Sequence, residues 1–302
     1  MPLHAWSSAR HTVPLPDGHR FPIAKYQKLR DAVLDAGLVP LSHLHDPARV
    51  AHEDLLRVHT TAWVDSVEQG TLDAAAVRRV GFPWSPLLVE RAFRAVGGTC
   101  EAAQAALQHG VAVNLAGGTH HAFATHGEGF CVFNDVAVAV RMLQARRDTR
   151  TQRAAIIDLD VHQGNGTHAI FADDADVFTF SMHGGRNYPF RKVPGSLDIE
   201  LHDGAGDDAY LTLLAEHLPR VLERAKADVV FYLAGADPHE GDALGRLALT
   251  FDGLQRRDTM VLNACREIGL PVCVTIAGGY GRNIDDTVRV HVNTVRIAAT
   301  FV

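Results

Sequence analysis

The chain has 302 residues, with Lys+Arg 29 against Asp+Glu 35 and a formal net charge of -6. A mildly acidic chain without a long basic run is poorly suited to tracking phosphate backbones, which removes nucleic acid from the expected partners. Hydrophobic content of 47% and charged content of 21% describe a globular chain, and no apolar stretch nears the ~20 residues of a transmembrane helix, so no membrane partner is expected.

The N-terminal run MPLHAWSSARHTVPLP lacks the apolar region of a signal peptide, and Cys100, Cys131, Cys265 and Cys273 show no CxxC spacing. Both features point to a reducing, cytoplasmic setting and away from a cysteine zinc site. Helical periodicity marks residues 22–36, 47–67 and 86–109. The apolar run 111–116 then passes into Gly117-Gly118-Thr119-His120-His121. Residues 135–147 read as a helix, and the Arg-rich run 146–153 as a solvated loop. The next apolar run, 154–160, leads into Val161-His162-Gln163-Gly164-Asn165-Gly166, and 177–183 leads into Gly184-Gly185. After a helix at 207–226, the run 228–234 ends in Gly235-Ala236-Asp237-Pro238. After a helix at 251–268, the run 271–277 ends in Gly278-Gly279-Tyr280-Gly281, and an amphipathic helix follows at 284–298.

Near-continuous apolar runs suit strands buried on both faces, and their alternation with helices implies an α/β fold: a mostly parallel sheet with helices on both faces. With no linker or repeat, residues 1–302 read as a single domain. Each polar cluster follows the carboxyl end of its strand, the edge where ligand sites form in open α/β sheets.

The chemistry starts from an unusual count, 18 histidines. On one strand Asp158, Asp160 and His162 would share a face, and three ionisable groups there are costly unless compensated. A metal compensates them. Asp160 and His162 offer an oxygen and a nitrogen, and Asp237 a second oxygen; three protein ligands with an open position is the pattern of catalytic zinc. An exposed strand end with incidental charges is the plain alternative. His120 and His121 read either as an incidental pair in a loop or, since they share the rim, as proton carriers, because histidine suits both taking a proton from water and giving one to a leaving amine. Asp158 and Asn165 are placed to hold the two imidazoles through Nδ1–H. Tyr280 reads either as a core-edge residue or as a phenol aimed at a developing oxyanion. Phe130 reads either as core or as a wall for an apolar ligand stem.

The ordered set AGGTHHA (116–122), GEGFCVFNDVAVA (127–139), IIDLDVHQGNG (156–166), LAGADPHEGDALGRL (233–247) and AGGYG (277–281) resembles the zinc-dependent histone deacetylase family, in particular its class IV branch and related bacterial lysine deacylases. The resemblance implies an arginase/deacetylase-like fold and a zinc-dependent deacylase. Asp160, His162 and Asp237 would hold Zn2+. His120 and His121 would be the catalytic pair, His121 serving as general base and acid, and Tyr280 would polarise the acyl carbonyl. Gly129 and Phe130 would form one wall of an acyl-lysine tunnel and Tyr188 the other. Asp158, with backbone groups of Asp160, His162, Ser181 and Met182, would hold a structural K+. Asn165 stands where some branches carry an aspartate, Tyr188 replaces a common phenylalanine, and no residue matches the acidic rim residue of some branches.

The expected function is therefore removal of acyl groups from N6-acyl-lysine in proteins or peptides. An acetylpolyamine amidohydrolase shares the chemistry and stays open as the alternative. A two-manganese ureohydrolase would need DAHxD- and DxDxxD-like strings, whereas His162 opens HQGNG and Asp237 is followed by Pro238-His239-Glu240. A catalytically dead acyl-lysine binding module would be expected to lack a ligand, His121 or Tyr280, and all are present.

Overall fold

Apolar runs that end in glycine build the sheet of the computed structural model, which describes residues 2–146 and 151–302. The Arg-rich loop expected at 146–153, and the end of the helix expected at 135–147, fall partly on residues outside these. The strands are β1 (His4–Trp6), β2 (Leu44–His45), β3 (Val111–Asn114), β4 (Ala154–Asp158), β5 (Val177–Gly184), β6 (Leu197–Leu201), β7 (Val229–Ala234) and β8 (Val272–Ile276). Among the described residues these eight form one sheet in the order β2-β1-β3-β8-β7-β4-β5-β6, and every pairing is parallel.

The helices are α1 (Lys25–Asp35), α2 (His52–Leu55), α3 (Thr61–Gln69), α4 (Ala74–Val80), α5 (Pro86–His109), α6 (Asp135–Ala145), α7 (Asn165–Ile170), α8 (Asp207–Ala225), α9 (Phe251–Glu267) and α10 (Ile284–Ala298). Helix α5 packs on β1, β3 and β8 and against α6. A second row, α1-α10-α9-α8, reaches the sheet at β3 through α10 and at β4 and β5 through α8. Helices therefore cover both faces. That cover explains why β4, β7 and β8 are buried along their whole length and read as unbroken apolar runs. Each fully buried Ile, Val, Leu or Phe in them stabilises the fold by about 1.5–3 kcal/mol. No helix among the described residues is long and apolar enough to cross a membrane.

Local chemistry sets the helix ends. Ser85 accepts a hydrogen bond from the Leu88 N–H at 3.1 Å, with Pro86 opening the first turn of α5. The expected helix at 47–67 is two helices, because Thr60 accepts from the Trp63 N–H and starts α3 anew. The strand expected over 154–160 ends at Asp158, so Asp160 and His162 lie in the turn beyond it rather than on its face. Strands β1, β2 and β6 and helices α4 and α7 were not expected from periodicity; β6 (LDIEL) alternates in polarity and is half-exposed at the sheet edge.

Candidate active site

The five strands expected from sequence are five consecutive strands of the sheet, β3-β8-β7-β4-β5. Their carboxyl-end loops therefore converge without any long excursion of the chain. Asp160, His162 and Asp237 are all buried, and one donor atom from each lies within 4.8 Å of the others. His162 Nδ1 is 2.9 Å from Asp160 Oδ1 and 3.2 Å from Asp237 Oδ2. Backbone amides fix the carboxylates: Gly278 N–H donates to Asp160 Oδ2 at 2.7 Å, and Val161 N–H donates to Asp237 Oδ1 at 2.9 Å. A Cβ at Gly278 would overlap Asp237 Oδ2, so only glycine lets β8 come this close.

This cluster fits a divalent cation. Asp237 Oδ2 is buried and accepts no hydrogen bond. Burial, then the neighbouring Asp160, pushes the Asp237 carboxyl above the usual carboxylate range. Two carboxylates and an imidazole in a water-poor pocket are the oxygen and nitrogen donors that zinc accepts, and a cation relieves the repulsion that otherwise has to be met by protons.

His120 and His121 sit beside the cluster, with ring centroids 4.1 Å apart, in unlike surroundings. His120 Nδ1 is 2.6 Å from Asp158 Oδ2. Burial disfavours its charged form, but Asp158 and Asp160 outweigh burial and raise its pKa to about 9. His121 Nδ1 is 2.7 Å from Asn165 Oδ1. Burial, then His120 and His162, push its pKa well below the ordinary histidine value, so it is neutral at pH 7. The Asn165 amide can face only one way: its NH2 donates to Glu128 Oε1 at 2.7 Å, and a carboxylate cannot donate in return. Asn165 Oδ1 therefore accepts the Nδ1–H of His121, which leaves the lone pair on Nε2.

Tyr280, Gly129, Phe130 and Tyr188 line one cavity of about 530 Å³ together with His121 and His162, whereas Ser181 and Met182 do not line it. The Tyr280 ring stands 6.2 Å from that of His162 and 6.0 Å from that of Phe130. Burial, then Asp160 and Asp237, keep its phenol protonated by pushing its pKa up. Phe130 packs on Phe21 and Phe82 with centroids 5.2 and 5.4 Å away, while Tyr188 meets His121 edge-on at 4.9 Å. Gly129 has φ 57°, and a Cβ there would lie 2.7 Å from His121 Cδ2. Ser181 faces Asp158 across the β4–β5 register, with Met182 next along β5.

A family model described as the histone deacetylase domain matches residues 19–295. The chain belongs to the histone deacetylase domain family. It is 48% identical over 281 residues to an uncharacterised protein of Picosynechococcus sp., covering 93% of each. It is 32% identical over 271 residues to histone deacetylase 2 of Arabidopsis thaliana, covering 87% of this chain and 70% of the relative. The crystal structure of the HDA15 HD domain superposes with a TM-score of 0.85 at 23% identity, over 99% of this chain and 89% of that one, and shares the fold.

Several residues that shape this deacetylase-family site escaped the sequence reading. Asp135 accepts from Gly118 N–H (3.1 Å), Thr119 N–H (2.8 Å) and the Thr119 and Thr99 hydroxyls (both 2.6 Å), and so pins the loop that carries the two histidines. Arg257 is fully buried and donates to the carbonyls of Leu159 (3.2 Å) and Gly235 (2.7 Å), the turns that carry Asp160 and Asp237. Lys25 is buried under the 277–279 turn and donates to the Ala277 and Gly279 carbonyls at 3.3 Å each. Asp242 accepts from the Tyr280 N–H at 2.6 Å. The one available signal was Asp135, a carboxylate inside the apolar run CVFNDVAVA.

Proposed function

We propose that the chain is a zinc-dependent hydrolase of N6-acyl-lysine in proteins or peptides. The observation that carries this reading is the buried Asp160-His162-Asp237 group, set beside a neutral His121 at the foot of a cavity walled by Phe130 and Tyr188. Asp160, His162 and Asp237 would hold the zinc, which would supply Lewis-acid polarisation of an acyl carbonyl and a lowered pKa for a water there. His121 takes a proton from the attacking water at Nε2, and Asn165 holds its other nitrogen protonated throughout. The imidazolium then delivers that proton to the departing lysine amine. Asp158 holds His120 through Nδ1 and so fixes the orientation of its imidazole beside the reacting centre. Tyr280 donates its phenolic hydrogen to the developing oxyanion. The aromatic walls exclude water from the four-carbon lysine stem.

Potassium belongs to the same reading. Asp158, with backbone groups of Asp160, His162, Ser181 and Met182, would hold it behind the zinc ligands. A cytoplasmic setting also belongs here, in keeping with four free, buried cysteines. Metal analysis together with a peptide assay tests the proposal. Purified protein should hold about one zinc-type ion per chain, lose acetyl-lysine hydrolysis on chelation, and regain it with zinc or cobalt. Two tightly held manganese ions per chain, or hydrolysis indifferent to chelation, would contradict it.

A further inference from the structure

The mouth of the cavity carries a charge that the chain as a whole does not. Five arginines line it, Arg20, Arg78, Arg79, Arg186 and Arg246, and no Asp or Glu among the described residues does. This occurs in a chain with a formal net charge of -6. The five come from four separate segments: the stretch before α1, the last turn of α4, the loop after β5 and the loop after β7. Their convergence is a property of the folded rim, since no two segments are neighbours in sequence.

All five side chains are exposed, and their charges are scarcely neutralised. Arg246 Nη1 is 3.1 Å from Asp203 Oδ2, and Arg186 Nη1 is 4.0 Å from the same oxygen, so one carboxylate serves two guanidiniums. Among the described residues, Arg20, Arg78 and Arg79 have no carboxylate within ion-pair reach. Basic residues in a last helical turn complement the helix dipole, which accounts for Arg78 and Arg79 but not for the other three. The α4 end is also locked to the cavity wall. The Arg79 carbonyl accepts from Gly129 N–H at 3.1 Å and the Val80 carbonyl from Phe130 N–H at 2.8 Å. The two arginines are therefore held at the entrance.

We infer that this rim selects acyl-lysines set in acidic sequence, with Asp or Glu side chains on either side of the lysine resting on the arginines. The inference rests on the acyl-lysine reading above and narrows it. Guanidinium is the cation best matched to carboxylate, because its planar fork donates two parallel hydrogen bonds. A rim of one sign also concentrates substrates of the opposite sign and repels its own. Acetylated polyamines keep free ammonium groups and lysine-rich tails keep neighbouring ones, so both meet repulsion at the mouth before the acyl group can enter.

The test compares kcat/KM of the zinc-loaded protein on four acetylated probes at low salt. Three are acetyl-lysine peptides flanked by Glu, by Ser or by Lys, and the fourth is N8-acetylspermidine. The expected order is Glu-flanked first, with the Lys-flanked peptide and acetylspermidine lower by about tenfold or more. The difference should lie mainly in KM and should shrink as salt shortens the screening length. The double variant Arg78→Glu/Arg79→Glu, and separately Arg186→Glu on another loop, should each narrow or reverse the order; their melting temperatures report that they remain folded. Turnover of all four probes without a charge order, or a preference for the basic ones, would overturn the rim inference alone. No turnover of any probe would overturn the hydrolase reading and this inference with it.

Discussion

Asn165 decides how His121 behaves, because the side chain on Nδ1 sets both tautomer and basicity. Here that side chain is a neutral amide, itself oriented by Glu128. A carboxylate in its place favours the imidazolium and raises the histidine pKa by roughly one to three units. A base must start neutral, so a raised pKa moves the acid limb of the kcat/KM profile to higher pH. The variant Asn165→Asp/Glu128→Gln makes this change while keeping a donor against the new carboxylate. We expect its activity to fall away near pH 6 before it does near pH 8, with zinc content unaltered. An acid limb that stays in place would remove His121 from the role of base. Tyr280→Phe is the second expectation at this scale. Losing one oxyanion donor costs on the order of 10²–10³ in kcat, and the substitution leaves Asp160, His162 and Asp237 untouched. A Tyr280→Phe enzyme with near-normal kcat would leave Tyr280 as a packing residue between Phe130 and His162. Asp158, Asp160 and His162 were legible in the sequence because ionisable groups at the end of an apolar run are expensive and therefore noticeable, whereas His121, Asn165 and Tyr280 stood out through the motifs that resemble the family. The rim arginines were not legible, since exposed arginines are common and only the fold shows that these face one opening.

Among elements, what the sequence revealed follows burial. Strands β4, β7 and β8, covered on both faces, stand out as unbroken apolar runs. Strands β1 and β2 are three and two residues long and leave too little pattern to read. Helix α7 starts at Asn165 itself, six residues long with Gly166 in its first turn, so the motif hid the helix. The supports of the site were hidden for another reason. Arg257 and Lys25 sit on α9 and α1, far in sequence from the turns they hold, and read as ordinary helix residues. Arg257 also pairs with buried Asp258, Nε to Oδ1 at 2.9 Å, and Asp258 accepts from the Tyr232 and Thr294 hydroxyls. Arg257→Met therefore strands a buried carboxylate as well as two carbonyls. We expect it to cost about 3–5 kcal/mol of stability by urea unfolding, and to loosen zinc where the protein still folds. A loss below about 1 kcal/mol, the worth of an exposed pair, would mean that this network does not bind the β4 and β7 turns together.

At the scale of the whole molecule, the sheet order brings five loops to one edge and places the Asp160-His162-Asp237 group at their meeting point. An ion that binds only the folded chain must stabilise it by mass action, by about 2.7 kcal/mol when free ion is 100 times Kd. Chelation should therefore lower the melting temperature, and zinc at rising concentration should raise it progressively. A melting temperature indifferent to both would place any bound metal outside the folded core. The central claim is that this edge hydrolyses the amide of an acylated lysine. It is tested most directly by incubating the zinc-loaded protein with an acetyl-lysine peptide in water enriched in 18O and weighing both products. The account predicts free lysine peptide and acetate carrying one solvent oxygen. Peptide returned still acetylated, or acetate without the label, would contradict it.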